Sequence, residues 1–255
     1  MRIFSVYKKE LKSYFTSPIA YVVILIFVVI SGFIFYALSA YYSLISLRYS
    51  EYPYPYFTLS PNEMIARPLF HNMAITILFV LPLLTMRLFS EERRIGTIEL
   101  LFTYPLKDSD IYLGKFLSCL TVLIIMTLIP SFYLLILEKW INFDIGVIFN
   151  SLLGLLLLGG SFISIGILIS SLTESQVISA IVTFGLSLIF WIIGWISEIV
   201  GPKYSTFFDF ISLYNHYENF PKGILDTRDL IFYLSISIFF SFLTLRILIS
   251  KKYRG

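Results

Sequence analysis

Apolar residues in this chain collect into long unbroken runs. Between Ile19 and Tyr42 there is no charged residue, and the stretch is rich in Ile, Val and Phe. A bilayer core about 30 Å thick takes roughly 20 apolar helical residues to cross, so this segment is long enough. Comparable runs recur, and the pattern predicts spans near 19–42, 69–86, 111–137, 147–170, 176–197 and 229–249. Helices uncharged on every face, six times over, argue against a soluble protein with buried helices. The strands of an outer-membrane barrel would alternate with a period of two, and these runs do not. The fold class expected is therefore an all-α integral membrane protein with six transmembrane helices, a single domain over residues 1–255. The first run is too long for a signal-peptide core and lacks a small-x-small cleavage site at its end, so no cleaved leader is expected.

Composition agrees: 58% of the residues are hydrophobic and 14% charged, where a soluble domain carries about 25% charged. The single cysteine, Cys119, lies in the third run and has no cysteine neighbour for a disulfide or a metal site. His71 is expected in a membrane segment and His216 in a loop, which gives no metal centre. Most runs are free of acids, and none holds the interior carboxylate pair of an ion-coupled carrier.

Charge placement sets the orientation. Arg2, Lys8, Lys9, Lys12, Arg87, Arg93, Arg94, Lys107, Lys115, Arg246, Lys251, Lys252 and Arg254 all fall on one side, thirteen of the nineteen basic residues. Basic residues stay cytoplasmic, so both termini are expected in the cytoplasm and no nucleic-acid surface is implied. At the N-terminus, Ile3 or Phe4, Tyr7, Leu11 and Phe15 form an apolar stripe while Lys8, Lys9 and Lys12 point elsewhere. This predicts an amphipathic helix lying on the membrane surface before Pro18 turns the chain into the first span. On the outer side, residues 43–68 carry Pro53, Pro55 and Pro61, which limit regular helix. Residues 198–228 form a second outer connection, with Tyr214, Tyr217 and Phe220 of the kind found at lipid headgroups. Trp191 and Trp195, one turn apart, fit either an anchoring face or helix packing.

The connection between spans two and three is the most informative stretch. Glu91, Glu92, Arg93 and Arg94 lead to Gly96, which permits a change of direction, and Thr97, which can cap a short helix. Glu99 falls in its first turn, Ile98, Leu101 and Phe102 give it an apolar side, and Pro105 ends it. Asp108 or Ser109 can cap the helix that follows. Such an element across the cytoplasmic mouth must cover its apolar side with lipid or with another protein. Gly114-Lys115 lacks the glycine spacing and hydroxyl of a phosphate-binding loop, so any nucleotide chemistry must lie in another polypeptide. In the fourth run Gly160 and Ser164 share a face, and small residues let membrane helices approach closely.

The stretch from Leu81 to Leu117, with Glu91-Glu92-Arg93-Arg94, Gly96-Thr97-Ile98-Glu99-Leu100-Leu101, Pro105 and Gly114-Lys115, resembles the permease subunits of ABC-2 type transporters. The opening Tyr7 to Phe15 with Ser17-Pro18-Ile19-Ala20-Tyr21 is similar to the same family, as is Ile169-Ser170-Ser171-Leu172-Thr173-Glu174. Within it, Asn215 to Phe220 and Lys222 to Asp229 resemble the gliding-motility-associated permease and its relatives in copper-centre maturation. The resemblance implies a type V exporter-like permease with an N-terminal surface helix and a cytoplasmic coupling helix over 97–104. It implies a cytoplasmic ABC ATPase that binds ATP and Mg, with no cofactor in this chain. It also implies a second permease copy or a homologous permease, a bacterial inner-membrane location and a periplasmic accessory protein as a further partner. Glu91, Glu92, Arg93, Arg94, Gly96, Thr97, Glu99, Leu101 and Phe102 would then carry the ATPase movement. The alternative is an ATP-independent membrane scaffold or carrier.

Overall fold

A computed structural model describes residues 2–51, 60–97, 107–199 and 202–252. Among these residues the structure is helical throughout. A short helix, α1 (Arg2–Thr16), is followed after Ser17 by α2 (Pro18–Glu51). A π-helical turn (Asn62–Ala66) runs into α3 (Arg67–Thr85) and α4 (Arg87–Arg94), then come α5 (Asp108–Leu137), α6 (Ile145–Leu172) and α7 (Gln176–Ile199). Two short helices, α8 (Pro202–Ile211) and α9 (Leu213–Tyr217), and a 3-10 turn (Phe220–Lys222) precede α10 (Thr227–Lys252). Six helical segments are long and apolar enough to cross a bilayer: Pro18–Arg48, Asn62–Arg94, Asp108–Leu137, Ile145–Leu172, Gln176–Ile196 and Thr227–Ser250. The shortest has 21 residues, which at ~1.5 Å each still matches the ~30 Å core.

The helices overrun the apolar runs that predicted them. Span 2 reaches from Asn62 to Arg94, well past 69–86 on both sides. Hydropathy registers only the lipid-embedded part, whereas hydrogen bonding continues the helix into water. For the same reason α2 continues to Glu51, into the stretch expected as an irregular outer connection. Pro61 is accommodated at the head of the π-helical turn, where its missing N–H costs nothing. Pro53 and Pro55 lie outside the described residues.

Spans 2 and 4 form the centre. Their apolar windows are each 72% buried, against at most 39% in the other four. Span 4 owes its position to small residues. A Cβ on Gly154 would lie 2.6 Å from Phe220, and Cβ atoms on Gly159 and Gly166 would collide with Leu123 of α5 and Thr85 of α3. The tight approaches fall at these three glycines. Gly160 is also buried but would meet Phe116 at an ordinary 3.8 Å, and the Ser164 hydroxyl donates back to the Gly160 carbonyl within its own helix. Buried hydroxyls on α3, α5 and α6 follow the same habit, which spares the lipid phase an unpaired donor.

The outer connection, described over 202–228, is structured and enters the bundle. Leu213, Tyr217 and Phe220 are fully buried, so Tyr217 and Phe220 do not sit at the headgroups. Tyr217 donates to the Phe70 carbonyl at 2.9 Å, and Tyr233 donates to the Leu213 carbonyl at 2.6 Å. Asn150 donates to the Phe220 carbonyl at 3.3 Å. Gly154 lies nine residues inside α6, so Phe220 sits about 13 Å below the outer end of that helix. Trp191 is buried against His71 and Tyr214, while Trp195 is 52% exposed. The two tryptophans thus divide packing and surface between them. His216 belongs to helix α9 rather than a loop, its Nδ1 2.6 Å from Asp229.

Candidate coupling site at the basic end of the bundle

At the basic end of the bundle α1 lies against α5. A Cβ on Gly114 would stand 2.7 Å from Val6, so the glycine lets the two helices touch. The buried face of α1 is Val6, Glu10 and Tyr14, and the stripe Ile3, Tyr7, Leu11 and Phe15 flanks it half-buried. Hydrophobic pattern selected the neighbouring stripe because the true face has a carboxylate at its centre. Tyr14 is 1% exposed and donates to the Leu84 carbonyl at 2.9 Å. Burial pushes its phenol well above the ordinary value, which keeps it a donor. The Arg87 guanidinium lies over the Tyr14 ring, 4.6 Å from its centroid.

Glu10 and Glu92 meet on Lys115, which is 1% exposed. Each carboxylate stands 3.0 Å from Nζ, and the ammonium also donates to the Leu88 carbonyl. An ammonium has three N–H donors, and here three acceptors surround it. The Phe89 ring closes the remaining side at 4.8 Å. Lys9 reaches Glu92 at 3.1 Å and Glu10 at 3.7 Å, so the cluster holds two ammonium groups and two carboxylates. A charge buried without such partners would cost several kcal/mol, roughly. Three elements, α1, α4 and α5, are therefore locked together by one side chain.

Between α3 and α4 the helix is interrupted at Met86. Pro82 lies one turn before the break and supplies no N–H. Ser170 of α6 bridges the interruption: its hydroxyl accepts from the Phe89 and Ser90 amides at 2.9 and 3.1 Å and donates to the Met86 carbonyl at 3.1 Å. Arg93 extends the link, donating to the Ser171 carbonyl at 2.8 Å and pairing with Glu174 at 3.6 Å. The end of span 2 is thereby tied to the turn between spans 4 and 5.

The charged run thus splits. Glu92 and Arg93 turn into the protein, Glu91 is half-buried, and Arg94, Ile95, Gly96 and Thr97 are exposed. Gly96 has φ +73°. Its amide bonds the Arg93 carbonyl at 3.1 Å and the Thr97 amide bonds Glu92 at 2.9 Å, the paired bonds of a Schellman terminus. Thr97 directs its hydroxyl back to the Glu92 carbonyl at 3.3 Å and so finishes α4. Glu99, Leu101 and Phe102, and with them most of the expected coupling helix 97–104, lie outside the described residues. The third span starts without a side-chain cap, and Asp108 and Asp110 occupy its first turn instead.

Sequence reasoning missed Glu10, Arg87, Lys115 and Ser170. The available signal was periodic: Glu10 is four residues from both Val6 and Tyr14, and Lys115 sits inside an otherwise apolar helix face. Among the described residues no three His, Cys, Asp or Glu side chains are grouped to hold a metal. Cys119 is buried and unpaired by disulfide.

No curated protein matches the chain. The family model for ABC-2 family transporter proteins matches residues 4–250, which takes in all six spans and the buried cluster. The chain belongs to the ABC-2 family of transporter proteins, as a multi-pass membrane component of an ABC transporter.

Proposed function

We propose that this permease converts nucleotide-driven movement of a separate ATPase subunit into rearrangement of its helix bundle, for export or for mechanical gating. The observation that carries the reading is the buried Lys115, held by Glu10 of α1 and by Glu92 and the Leu88 carbonyl of α4. A push on the exposed Arg94–Thr97 turn reaches α1 and span 3 through that one ammonium. It reaches spans 4 and 5 through Arg93 and Ser170. Two permease chains, homologous or identical, and two ATPases that bind ATP and Mg make the working unit in this reading. In this reading both termini lie in the cytoplasm, on the strength of the basic residues gathered at this end, and the membrane is the bacterial inner membrane that the family resemblance implies. The motifs at Asn215–Phe220 and Lys222–Asp229 favour the gliding-motility and copper-centre group, with a periplasmic accessory protein as an added partner.

The test is ATP hydrolysis by the reconstituted complex, with Glu92→Gln and Arg94→Glu permeases. Glu92→Gln is expected to lower both thermal stability and permease-dependent stimulation of ATPase activity. Arg94→Glu is expected to lower stimulation alone. Normal stimulation in both variants would remove this end of the bundle from the coupling route.

A further inference from the structure

At the end of the bundle remote from the chain termini, a groove of about 860 Å³ opens among α7, α8, α9 and α10. Its two ends differ in chemistry. One is formed by Asp209, Asn215, His216, Asp226 and Arg228, the other by Phe190, Ile236, Phe239 and Phe240. The polar end is rigidly built. His216 sets Nδ1 2.6 Å from Asp229 and Nε2 3.2 Å from the Phe210 carbonyl, and it stacks on Phe232 with 3.8 Å between centroids. One imidazole thereby joins α8, α9 and α10. Asn219 donates to the second Asp229 oxygen at 2.9 Å, so that carboxylate is committed. Two charges of opposite sign remain. Arg228 is exposed on the groove wall, and among the described residues its guanidinium has neither an ion pair nor a hydrogen bond. Asp209 is half-buried: Asn215 donates to one of its oxygens at 2.6 Å, and the other takes no donor among the described residues. Both lie next in sequence to the groups that His216 joins, so they belong to the same end of the groove.

We infer that this groove seats one zwitterionic phospholipid, of the phosphatidylethanolamine class, from the leaflet opposite the chain termini. Its phosphate would pair with Arg228 and its ammonium with Asp209, while one acyl chain runs down α10 towards Phe240. Charge selects the headgroup. An anionic lipid leaves Asp209 without a counter-charge, and a cationic amphiphile leaves Arg228 without one. Depth selects a lipid over a protein partner. The spanning part of α10 has 24 residues, about 36 Å, so when centred it sets Arg228 at the edge of a ~30 Å core. Phe240 lies twelve residues further on, about 18 Å deeper and close to the midplane. There Phe190 of α7 meets Phe240 edge-on, 6.2 Å between centroids, and closes the groove. A partner helix would need a groove of the full bilayer thickness, and this one is a single leaflet deep. Ile231 and Phe239 are exposed on its wall, so it opens sideways to the lipid. The volume of about 860 Å³ falls within the ~300–1,000 Å³ of small-molecule sites.

The inference rests on the membrane-spanning reading and is independent of ATP coupling, since its readout is lipid binding alone. The purified full-length permease, delipidated in an uncharged detergent, is titrated with phosphatidylethanolamine, phosphatidylglycerol or diacylglycerol of matched chains. Bound lipids are counted by native mass spectrometry. Phosphatidylethanolamine is expected to fill one site per chain, saturably, at concentrations where the other two do not. Arg228→Gln should weaken that first binding event about tenfold or more, the loss of one charge-assisted hydrogen bond. Ser235→Trp places an indole on the groove wall, leaves Arg228 and Asp209 in position, and should abolish the site. Both positions are exposed, so neither change opens the core. Should one variant fail to fold, the other decides. Unchanged phosphatidylethanolamine binding in either folded variant overturns the proposal. Equal binding of phosphatidylglycerol overturns the zwitterion as occupant, and equal binding of diacylglycerol overturns any role for the headgroup.

Discussion

Lys115 illustrates how a single charge can be kept inside an apolar bundle. Its ammonium donates to Glu10 and to the Leu88 carbonyl and forms an ion pair with Glu92 at 3.0 Å. Removing the cation alone leaves two largely buried carboxylates with only the exposed Lys9 beside them. Lys115→Met is therefore expected to cost about 3–5 kcal/mol, read from unfolding of the purified permease. Adding Glu10→Gln and Glu92→Gln to it should recover most of that loss, because no uncompensated buried charge then remains and Lys9 is solvated. A triple variant as unstable as the single one would show that packing and not charge sets the cost. Gly96 poses a simpler case. Nothing lies within 4 Å of a Cβ built there, yet φ is +73°, so Gly96→Ala is expected to cost about 1–2 kcal/mol through backbone strain alone. Cys119, with no exposed surface, should resist maleimide in the folded protein and react on unfolding. As the chain's one thiol, it reports both losses without any added label.

The element most changed by the structure is α1. Its length and its break at Pro18 were legible from sequence, since proline and the basic residues mark both. Its buried face was not, because Glu10 interrupts the apolar pattern and only the tertiary partner Lys115 explains a carboxylate there. The same blindness applied to α4, whose five charged residues divide between interior and surface by contacts that no local rule contains. The extra turns of span 2 were missed for another reason: hydropathy measures solvent, not hydrogen bonding. Gly114 is the hinge point of the α1 packing. Gly114→Val should lift α1 from span 3, since even a Cβ would stand 2.7 Å from Val6. The expected sign is faster hydrogen exchange of the α1 amides with the six spans still protected, and unchanged exchange would mean that α1 is held by other contacts.

Across the molecule, the number and order of spans followed from the apolar runs alone, because lipid permits few backbone solutions. The outer cap did not, since Tyr217 and Phe220 read equally as headgroup anchors until their partners on spans 2 and 4 are known. One ionic link secures the cap from above. Glu218 pairs with Lys222 at 2.8 Å and Arg67 at 3.4 Å, and the hydrogen bond from Lys222 holds its carboxyl below the ordinary value. A depressed carboxyl adds stability that is complete above the unfolded value of about 4.3 and fades as pH falls through the lower folded one. The wild type should thus exceed Glu218→Gln in thermal stability at neutral pH, and the two should converge in acid. The margin is small, because Glu218 is 40% exposed.

Phe220 against Gly154 also bears on how firmly the cap is seated at rest. Lifting the cap would return Leu213, Tyr217 and Phe220 to water, at roughly 1.5–3 kcal/mol for each side chain. The sum, roughly 4.5–9 kcal/mol, corresponds to an unaided open fraction between about one in 10³ and one in 10⁷. A cap seated that firmly does not lift by thermal motion alone on a useful scale, so any opening at this end must be driven from elsewhere in the assembly.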